Sequence, residues 1–300
     1  MKKVKITAVL LAIGLLLTMG LAACGTKTEE AGATETQAVE ETSAAVQETS
    51  APAEQKELKV LKVGAVPTPH GEILKFITPL LKEKGIDLQI VEFTDYVQPN
   101  LALQNKELDA NYFQHVPYLN DFNKKNNTQL SATVPVHFEP LGLYPGKTKT
   151  LEELKDGDTI AVPNDTTNEA RALLLLQSAG ILKVKDGAGL EATVKDIVEN
   201  PKNIKIQELE AAQISRSLPD VNLAVINGNY AIEAGLNAAT DALKAEDKDS
   251  LAAQTFANII TVRTGDENRE EIKLLDEVIT SPEVRDFINE TYKGAVIPVF

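Results

Sequence analysis

The sequence predicts an α/β protein whose ordered part forms two lobes with a ligand cleft between them. Apolar strands alternate with periodic helices from Leu58 onward, and a second unit of the same kind begins after Pro145-Gly146. A late apolar strand at 258–263 is followed by two further helices. Alternating strands and helices are typical of open α/β sheets, and roughly 240 residues are enough for two lobes.

The first unit is defined by the spacing of its apolar residues. Its predicted elements are a strand at 58–64, a helix at 71–81 that ends near Gly85, a strand at 86–93 and a short helix after Pro99 that runs through Lys106. Residues 109–113 lead into a further segment. The strands alternate with a period of two, and the helices show the wider spacing of an amphipathic face. This order predicts a mostly parallel, doubly wound sheet with a binding crevice at the carboxyl ends of its strands.

The second unit repeats this pattern. Its predicted elements are a helix that starts at 151–154 and strands at 158–163, 204–209 and 221–226. The late strand at 258–263 and helices at 270–279 and 282–292 follow it. We expect residues 58–138 plus 230–300 to form lobe 1 and residues 139–229 to form lobe 2. A pair of lobes that closes about a hinge is the usual architecture of solute-binding proteins.

The first 24 residues have the features of an export signal. Three lysines within the first five residues precede an uncharged apolar run at 6–23. The run is short for a membrane-spanning helix, which is the alternative interpretation, and small residues stand where a signal peptidase would cut. Leu21-Ala22-Ala23-Cys24 resembles the bacterial lipoprotein signal, which implies removal of residues 1–23 and acylation of Cys24, for example with palmitate. Cys24 is the only cysteine, so the chain can form no internal disulfide.

Residues 24–57 are predicted to form a flexible acidic tether. After Cys24 the segment is almost entirely Ala, Thr, Glu, Gln and Ser, with eight Glu against two Lys and no aromatic residue. Such a segment cannot bury enough apolar surface to offset the entropy of ordering it. The formal net charge of the chain is −14, which argues against nucleic acid or an anionic lipid surface as a partner.

Several ordered blocks carry a family resemblance. They are FTDYVQPN (93–100), DANYFQHVPYL (109–119), TIAVPNDTTNEARALLLLQSAG (159–180), VENPKNIKIQELEAAQISRSL (198–218) and LAVINGNYA (223–231). Together they resemble the methionine-binding lipoproteins of bacterial importers, the NlpA/MetQ group, over nearly all of residues 58–300. The resemblance implies a two-lobe, periplasmic-binding-protein-like fold of the type II-like kind. It also implies a lipid-anchored protein on the extracytoplasmic face of the cell membrane, which captures methionine and delivers it to an ABC permease and its ATPase.

A carboxylate site is expected at the start of the helix after residue 165. The spacing Thr166-x-x-Glu169 predicts a capping box, and Asn168 and Arg171 share one face of the first turns. The positive end of the helix dipole and a guanidinium group both favour an anion there. A solvated Arg behind an ordinary helix cap is the alternative. The resemblance implies that Arg171 binds the carboxylate of the ligand.

An aromatic pocket is expected around one histidine. Tyr112, Phe113 and Tyr118 lie within seven residues of sequence around His115, and Tyr96 stands in an earlier block. Aromatic rings suit a thioether, because sulfur is polarizable and gains about 0.3 to 1.5 kcal/mol at a ring edge. Ordinary core packing is the alternative. The resemblance implies that Tyr96, Phe113, His115 and Tyr118 surround the side chain of methionine.

Two asparagines complete the expected site. Asn227 follows the strand at 221–226, and Asn258 opens the late strand. Both therefore stand at strand ends, where the crevice of an open α/β lobe lies. Their amides offer donors and acceptors, so they can serve both charged groups of an amino acid. Asn is also a common turn former at such positions.

Other functions remain open from the residues themselves. Metal-ion receptors also use two lobes, and His70, His115, His137 and Glu139 are candidate ligands, although no metal-binding spacing joins them. No Gly-x-x-x-x-Gly-Lys phosphate loop or Gly-x-Ser-x-Gly elbow is present. We therefore expect no metal, no cofactor and no enzymatic activity. D-methionine, a methionine-containing dipeptide and a role as surface adhesin stay open beside L-methionine.

Overall fold

The computed structural model describes residues 57–248 and 254–300. The predicted signal at 1–23, the acylation site Cys24 and residues 25–56 of the tether lie outside the described residues. Within the described ranges, the strands form two main sheets and one short two-stranded ribbon. No described helix is both long and apolar enough to cross a membrane.

The larger sheet has six strands. They are β1 (Lys59–Ala65), β2 (Ile86–Glu92), β3 (Ala110–His115), β4 (Leu130–Phe138), β12 (Asn258–Arg263) and β13 (Ile297–Pro298). Their order across the sheet is β13-β4-β12-β3-β1-β2. Strand β1 pairs in parallel with β2 and β3, whereas β12 runs antiparallel to β3 and β4.

The smaller sheet has five strands. They are β5 (Gly142–Pro145), β6 (Thr159–Pro163), β9 (Lys205–Leu209), β10 (Leu223–Ile226) and β11 (Lys244–Ala245), and the separate ribbon consists of β7 (Lys183–Val184) and β8 (Ile197–Glu199). Their order is β11-β5-β10-β6-β9. Strand β6 is parallel to β9 and β10, whereas β5 is antiparallel to β10 and β11. Both sheets are therefore mixed and not mostly parallel as predicted, because β5 and β12, which follow the passages between the sheets, run against their neighbours.

Eight helices with described bounds surround the sheets. They are α1 (Glu72–Glu83), α2 (Gln98–Gln104), α3 (Val116–Asn126), α4 (Thr166–Ser178), α5 (Ala211–Ser217), α6 (Gly228–Glu233), α7 (Glu270–Ile279) and α8 (Pro282–Tyr292). An irregular turn, Pro67–Gly71, precedes α1. Helix α1 ends before Gly85, which has φ +87° and so takes a left-handed conformation that favours glycine.

Each sheet has its own apolar core. Leu61 and Val63 of the larger sheet pack with Ile77 of α1 and Leu275 of α7, and all four are fully buried. In the smaller sheet a second cluster forms between its strands and α4. Two separate cores joined by short connections confirm the predicted two-lobe α/β architecture.

The point at which the chain returns to the larger sheet differs from the prediction. We expected the return at residue 230, but Lys244 and Ala245 of β11 still pair with β5 of the smaller sheet. The described chain therefore passes between the sheets after β4 and again after β11. The two-residue strand was missed because two residues carry no periodic signal.

The predicted elements agree with the structure best where their apolar pattern is strongest. The late strand and the last two helices have the predicted limits, 258–263, 270–279 and 282–292. The predicted helix at 151–154 is wrong, since these residues form a turn. Strand β4 was missed because Pro135 interrupts its pattern; the structure accommodates Pro135 at an irregularity in the pairing with β12.

Candidate functional site

A small, partly open cavity lies between the lobes. Its lining is polar on one side and aromatic on the other. The lining residues are Tyr96, Phe113, Gln114, His115, Tyr118, Glu139, Asn168, Arg171, Asn227, Gly228, Asn229 and Asn258. The structure thus brings together all eight residues that the sequence indicated as ligand-binding. It adds four others, of which Glu139 is the only one with an ionisable side chain.

The lobes touch directly around this cavity. His115, at the start of α3, lies with its Nε2 atom 3.3 Å from Asn168 Oδ1 in α4. Lys125 of α3 donates a hydrogen bond to the Thr166 hydroxyl at the start of α4. One helix of each lobe therefore contacts the other beside the cavity.

The start of α4 is capped differently from the prediction. Asp165 is the N-cap, and its carboxylate accepts hydrogen bonds from the backbone N–H of Asn168 at 3.1 Å and from its Nδ2 at 2.9 Å. Thr166 is the first helical residue, and Glu169 accepts from the backbone N–H of Val194 at 3.0 Å. The predicted Thr166–Glu169 capping box is wrong, because the cap lies one residue earlier. The helix N-terminus already holds the Asp165 carboxylate and is not a free anion site.

Asn168 occupies the centre of a short polar chain. Its Oδ1 atom accepts from Asn227 Nδ2 at 3.0 Å, while its Nδ2 atom donates to Asp165. The backbone N–H of Tyr118 donates to His115 Nδ1 at 3.2 Å, so His115 caps α3 with this atom. Burial lowers the pKa of His115 to about 3. His115 is therefore neutral at pH 7, with its proton on Nε2 facing Asn168.

Arg171 is held by a carboxylate of the protein itself. Its Nε atom lies 2.6 Å from Glu246 Oε1, its Nη2 atom lies 2.5 Å from Glu246 Oε2, and Nη2 also donates to the carbonyl of Glu139 at 3.0 Å. The guanidinium carbon lies 4.3 Å from the ring centre of Phe256, a cation–π contact. These contacts use Nε and Nη2 of the guanidinium group. Arg171 also lines the cavity.

The aromatic wall is built around Tyr96. Its ring centre lies 5.8 Å from Phe113, 5.9 Å from Tyr118 and 5.1 Å from Tyr230. Its hydroxyl donates to Asn229, and its carbonyl accepts from the Tyr118 hydroxyl at 2.9 Å. The rings are therefore fixed in place and present edges and faces to the cavity.

The two predicted asparagines, Asn227 and Asn258, differ in the hydrogen bonding of their side-chain oxygens. Asn258 Oδ1 lies 2.9 Å from His70 Nε2. Asn227 Oδ1 is buried without a hydrogen-bond partner in the described part of the chain. An unpaired buried carbonyl oxygen is costly, so it is suited to accept a hydrogen bond from a bound ligand.

Glu139 is the charged residue of the lining that sequence reasoning did not assign to the ligand. It follows β4 at the passage between the lobes, where no strand or helix pattern marks it, and only 6% of its surface is exposed. A Cβ atom on Gly228 would lie 2.5 Å from Glu139 Cβ, so this packing requires glycine. Burial raises the pKa of Glu139, and the neighbouring His70, the Asn229 N–H and Arg171 lower it.

The distances between the candidate metal ligands bear on the alternative interpretation of a metal site. His70, His137 and Glu139 each offer a ligand atom, and these atoms lie within 4.8 Å of one another, whereas His115 stands apart. His137 Nε2 lies 2.7 Å from Glu139 Oε1, and His70 Nε2 faces Asn258 Oδ1. Both nitrogen–oxygen pairs are at hydrogen-bond distance, whereas His70 Nδ1 is buried without a hydrogen-bond partner among the described residues.

Comparison with known proteins connects this cavity to a family. Residues 61–300 match the family described as NlpA lipoprotein. The D-methionine-binding lipoprotein MetQ of Escherichia coli (strain K12) is 42% identical over 247 residues, which are 81% of this chain and 90% of the relative. The methionine-binding lipoprotein MetQ of Bacillus subtilis (strain 168) is 41% identical over 245 residues, 80% of this chain and 88% of the relative.

A solved structure shows the same arrangement of the chain. The nutrient binding protein from Burkholderia cenocepacia, bound to methionine, superimposes with a TM-score of 0.77 at 44% sequence identity. The match covers 80% of this chain and 100% of that one. Sequence similarity over most of the chain and agreement of the fold together establish that this chain belongs to the NlpA lipoprotein family.

Proposed function

We propose that this protein is a lipid-anchored extracytoplasmic binding protein that captures methionine in the cavity between its lobes and delivers it to an ABC permease. One observation supports it above the others: one cavity between the lobes is lined by Arg171, by an unpaired Asn227 oxygen, by the Glu139 carboxylate and by an aromatic wall. This set matches the carboxylate, the ammonium and the thioether of a single amino acid.

Each charged group of methionine has a matching group in the cavity. The carboxylate meets Arg171 Nη1, a charge-assisted hydrogen bond that Glu246 leaves possible because it occupies the other two nitrogens. The ammonium lies between the Glu139 carboxylate and Asn227 Oδ1, two acceptors that both line the cavity. Asn168 and Asn258 lie within the same polar wall.

The thioether is placed against Tyr96, Phe113 and Tyr118. Contacts of sulfur with ring edges contribute about 0.3 to 1.5 kcal/mol each, and the apolar methylenes gain from leaving water. His115 stands where the aromatic and polar walls meet, since its ring lies 6.4 Å from Tyr118 and its Nε2 atom faces Asn168.

The ligand favours the closed arrangement of the lobes. Arg171, Asn168 and Asn227 belong to the smaller-sheet lobe, whereas Tyr96, Phe113 and His115 belong to the larger-sheet lobe. A ligand that contacts both sets binds the closed form better and so shifts the population toward it. The permease, with its ATPase, then recognises the closed shape. Acylation of Cys24 and the tether at 24–57 keep the binding domain close to the membrane.

D-methionine is the second candidate. The relative from Escherichia coli carries D-methionine in its name, and the relative from Bacillus subtilis does not. Both enantiomers offer the same three groups, and they differ in the direction in which the side chain leaves Cα. A methionine-containing dipeptide, a metal ion and a surface partner are the further alternatives.

The experiment is isothermal titration of L-methionine into the full-length chain in detergent, after unfolding and refolding to remove bound ligand. We expect one-to-one binding at micromolar or tighter dissociation, about −8 kcal/mol or better. D-methionine is titrated next, followed by 2-hydroxy-4-(methylthio)butanoate, in which a hydroxyl replaces the ammonium. The hydroxy analogue should bind at least about tenfold more weakly, because the Glu139 carboxylate loses its charged partner. Absence of heat from all three with a refolded protein would reject the proposal.

A further inference from the structure

A chain of buried hydrogen bonds lies behind Glu139, on the side away from the cavity. The Tyr112 hydroxyl contacts His137 Nδ1, and His137 Nε2 lies 2.7 Å from Glu139 Oε1. Tyr112 and His137 are fully buried, and neither lines the cavity. They therefore cannot touch the ligand, although both lie within one or two hydrogen bonds of the residue that would bind its ammonium.

Only one distribution of protons satisfies this chain. If His137 carries its proton on Nε2, it donates to Glu139, and Nδ1 accepts from the Tyr112 hydroxyl. If the proton is on Nδ1 instead, Nε2 is satisfied only by a protonated Glu139, and the Tyr112 hydroxyl accepts from Nδ1 and so loses its own acceptor in this pair. Because unsatisfied buried groups are costly, the Nε2–H form with an ionised Glu139 is the consistent one.

His70 supports the same assignment from the other side. Its Nε2 atom lies 2.9 Å from Asn258 Oδ1, an atom that can only accept, so this nitrogen carries the proton. The same Nε2 atom lies 3.5 Å from Glu139 Oε1. One imidazole N–H, that of His137, and the backbone N–H of Asn229 therefore donate to the Glu139 carboxylate, and the His70 ring lies beside it. Such donors stabilise the charged form of a carboxyl group.

We propose that Tyr112 and His137 are positioning residues that keep the Glu139 carboxylate ionised and directed into the cavity, so that the cleft selects ligands with a protonated amine. This inference rests on the proposed function, since it concerns the ammonium site of the same cavity. It assigns a role to two residues that do not contact the ligand. It also predicts that binding depends on pH through Glu139.

The charges around Glu139 determine the direction of that dependence. Burial lowers the pKa of His70 to about 4 and that of His137 to about 3, so both are neutral hydrogen-bond donors above these values. Burial raises the pKa of Glu139. Protonation of Glu139 removes the partner of the ammonium, so affinity falls as the pH decreases through the pKa of Glu139. The other groups that interact with this carboxylate are Arg171, Tyr96, Tyr112 and Tyr292.

Two substitutions of His137 distinguish positioning from simple packing. Gln places an amide N–H near the position of Nε2, so His137→Gln retains the donor to Glu139, whereas His137→Asn is too short to reach it. We expect His137→Asn to weaken methionine binding at pH 7 by at least about tenfold. We expect His137→Gln to restore affinity to within about threefold of the wild type. Equal affinity of both variants and the wild type would overturn the proposal.

The hydroxyl of Tyr112 has a matched control elsewhere in the chain. Tyr144 is also fully buried, and its hydroxyl has no hydrogen-bond partner in the described residues. Titrations between pH 4.5 and 8 should show that Tyr112→Phe moves the acid loss of affinity to higher pH. Tyr144→Phe should leave that pH profile unchanged. The same profile in both variants would contradict a role for Tyr112.

A measurement on the unmodified protein tests the proton positions without any ligand. Imidazole 15N chemical shifts at pH 7 should show His137 and His70 protonated on Nε2 and not on Nδ1. His137 protonated on Nδ1 would overturn the proposal, even if the variants fail to fold. If wild-type protein binds no methionine at any pH, the proposed function fails, and the imidazole shifts still decide the positions of the protons.

Discussion

Individual side chains in the cavity differ in how many of their hydrogen-bonding atoms the protein itself uses. Asn168 uses both atoms of its amide, in bonds to Asp165 and Asn227. Arg171 binds Glu246 and the Glu139 carbonyl through Nε and Nη2, and Asn227 Oδ1 is unpaired in the described part of the chain. Side chains with unused atoms should bind the ligand, and those with none should position their neighbours.

Arg171→Ala should weaken methionine binding by at least about tenfold, because the carboxylate loses its buried charged partner in the cavity between the lobes. The variant should still unfold cooperatively, although Glu246 is left without its cation. Arg216→Ala removes an exposed arginine of α5 and serves as the control. Isothermal titration measures both variants, and an unchanged dissociation constant for Arg171→Ala would show that the carboxylate binds elsewhere.

His115 should make stability depend on pH. Its pKa is about 3 in the folded protein, because burial disfavours the charged form, and 6.5 is the ordinary value. The unfolded chain therefore takes up a proton that the folded protein does not, and stability is lost as the pH falls below about 6.5. The slope is at most about 1.4 kcal/mol per pH unit for this one group.

His115→Asn isolates this effect, because Asn retains an oxygen that can cap α3. Urea unfolding at pH 7, 6, 5 and 4.5 should show a smaller loss of the free energy of unfolding in the variant than in the wild type. Parallel curves for the two proteins would refute the assignment of His115 as a buried neutral group. Asp276, whose pKa burial raises to about 6, acts in the opposite direction in both proteins.

Helix starts show how a local element positions the site. Asp165 caps α4 and orients the amide of Asn168. Ser281 also stands at an N-cap, that of α8, but its hydroxyl makes no capping bond. The sequence predicted where both helices begin, because apolar periodicity and the first helical residues define the limits within one or two positions. It did not identify the cap of α4, since Asp165 and Thr166 are both good N-cap residues.

Asp165→Ala should therefore lower the free energy of unfolding by about 1 to 2 kcal/mol, as for other lost N-caps. It should also weaken methionine binding, since the Asn168 amide loses the group that orients it. Ser281→Ala is the matched control and should change neither quantity, because the Ser281 hydroxyl has no partner in the described residues. Chemical denaturation measures the free energy of unfolding, and isothermal titration measures methionine affinity. Equal results for Asp165→Ala and Ser281→Ala would contradict the role assigned to the Asp165 cap.

We expect the molecule as a whole to couple ligand binding to the closure of its two lobes, which have separate cores. Helices α3 and α4 touch beside the cavity, and a ligand inside it would add contacts to both lobes. Anything that binds the folded form and not the unfolded chain raises stability in proportion to its affinity. The ligand should therefore stabilise the two lobes together.

Thermal unfolding of ligand-free protein should shift upward by about 5 to 10 °C at a methionine concentration one hundred times the dissociation constant, equivalent to about 2.7 kcal/mol. The shift should be much smaller for Arg171→Ala at the same methionine concentration. Calorimetry measures both. A full shift of the unfolding temperature in Arg171→Ala, or no shift in the wild type, would show that methionine does not stabilise the protein by binding in this cavity.

The amino-acid pattern determined the lobes, most of the strands and helices, and the identity of eight residues that line one cavity. Periodic apolar residues report local structure directly, and ordered sequence blocks carry the family resemblance. Three-dimensional packing alone decided that Arg171 is paired with Glu246, 75 positions away, and that Glu139 lines the cavity with His137 and Tyr112 behind it. Hydrogen bonds between distant segments leave no periodic signal in the chain, because they form only when the two lobes bring those segments together.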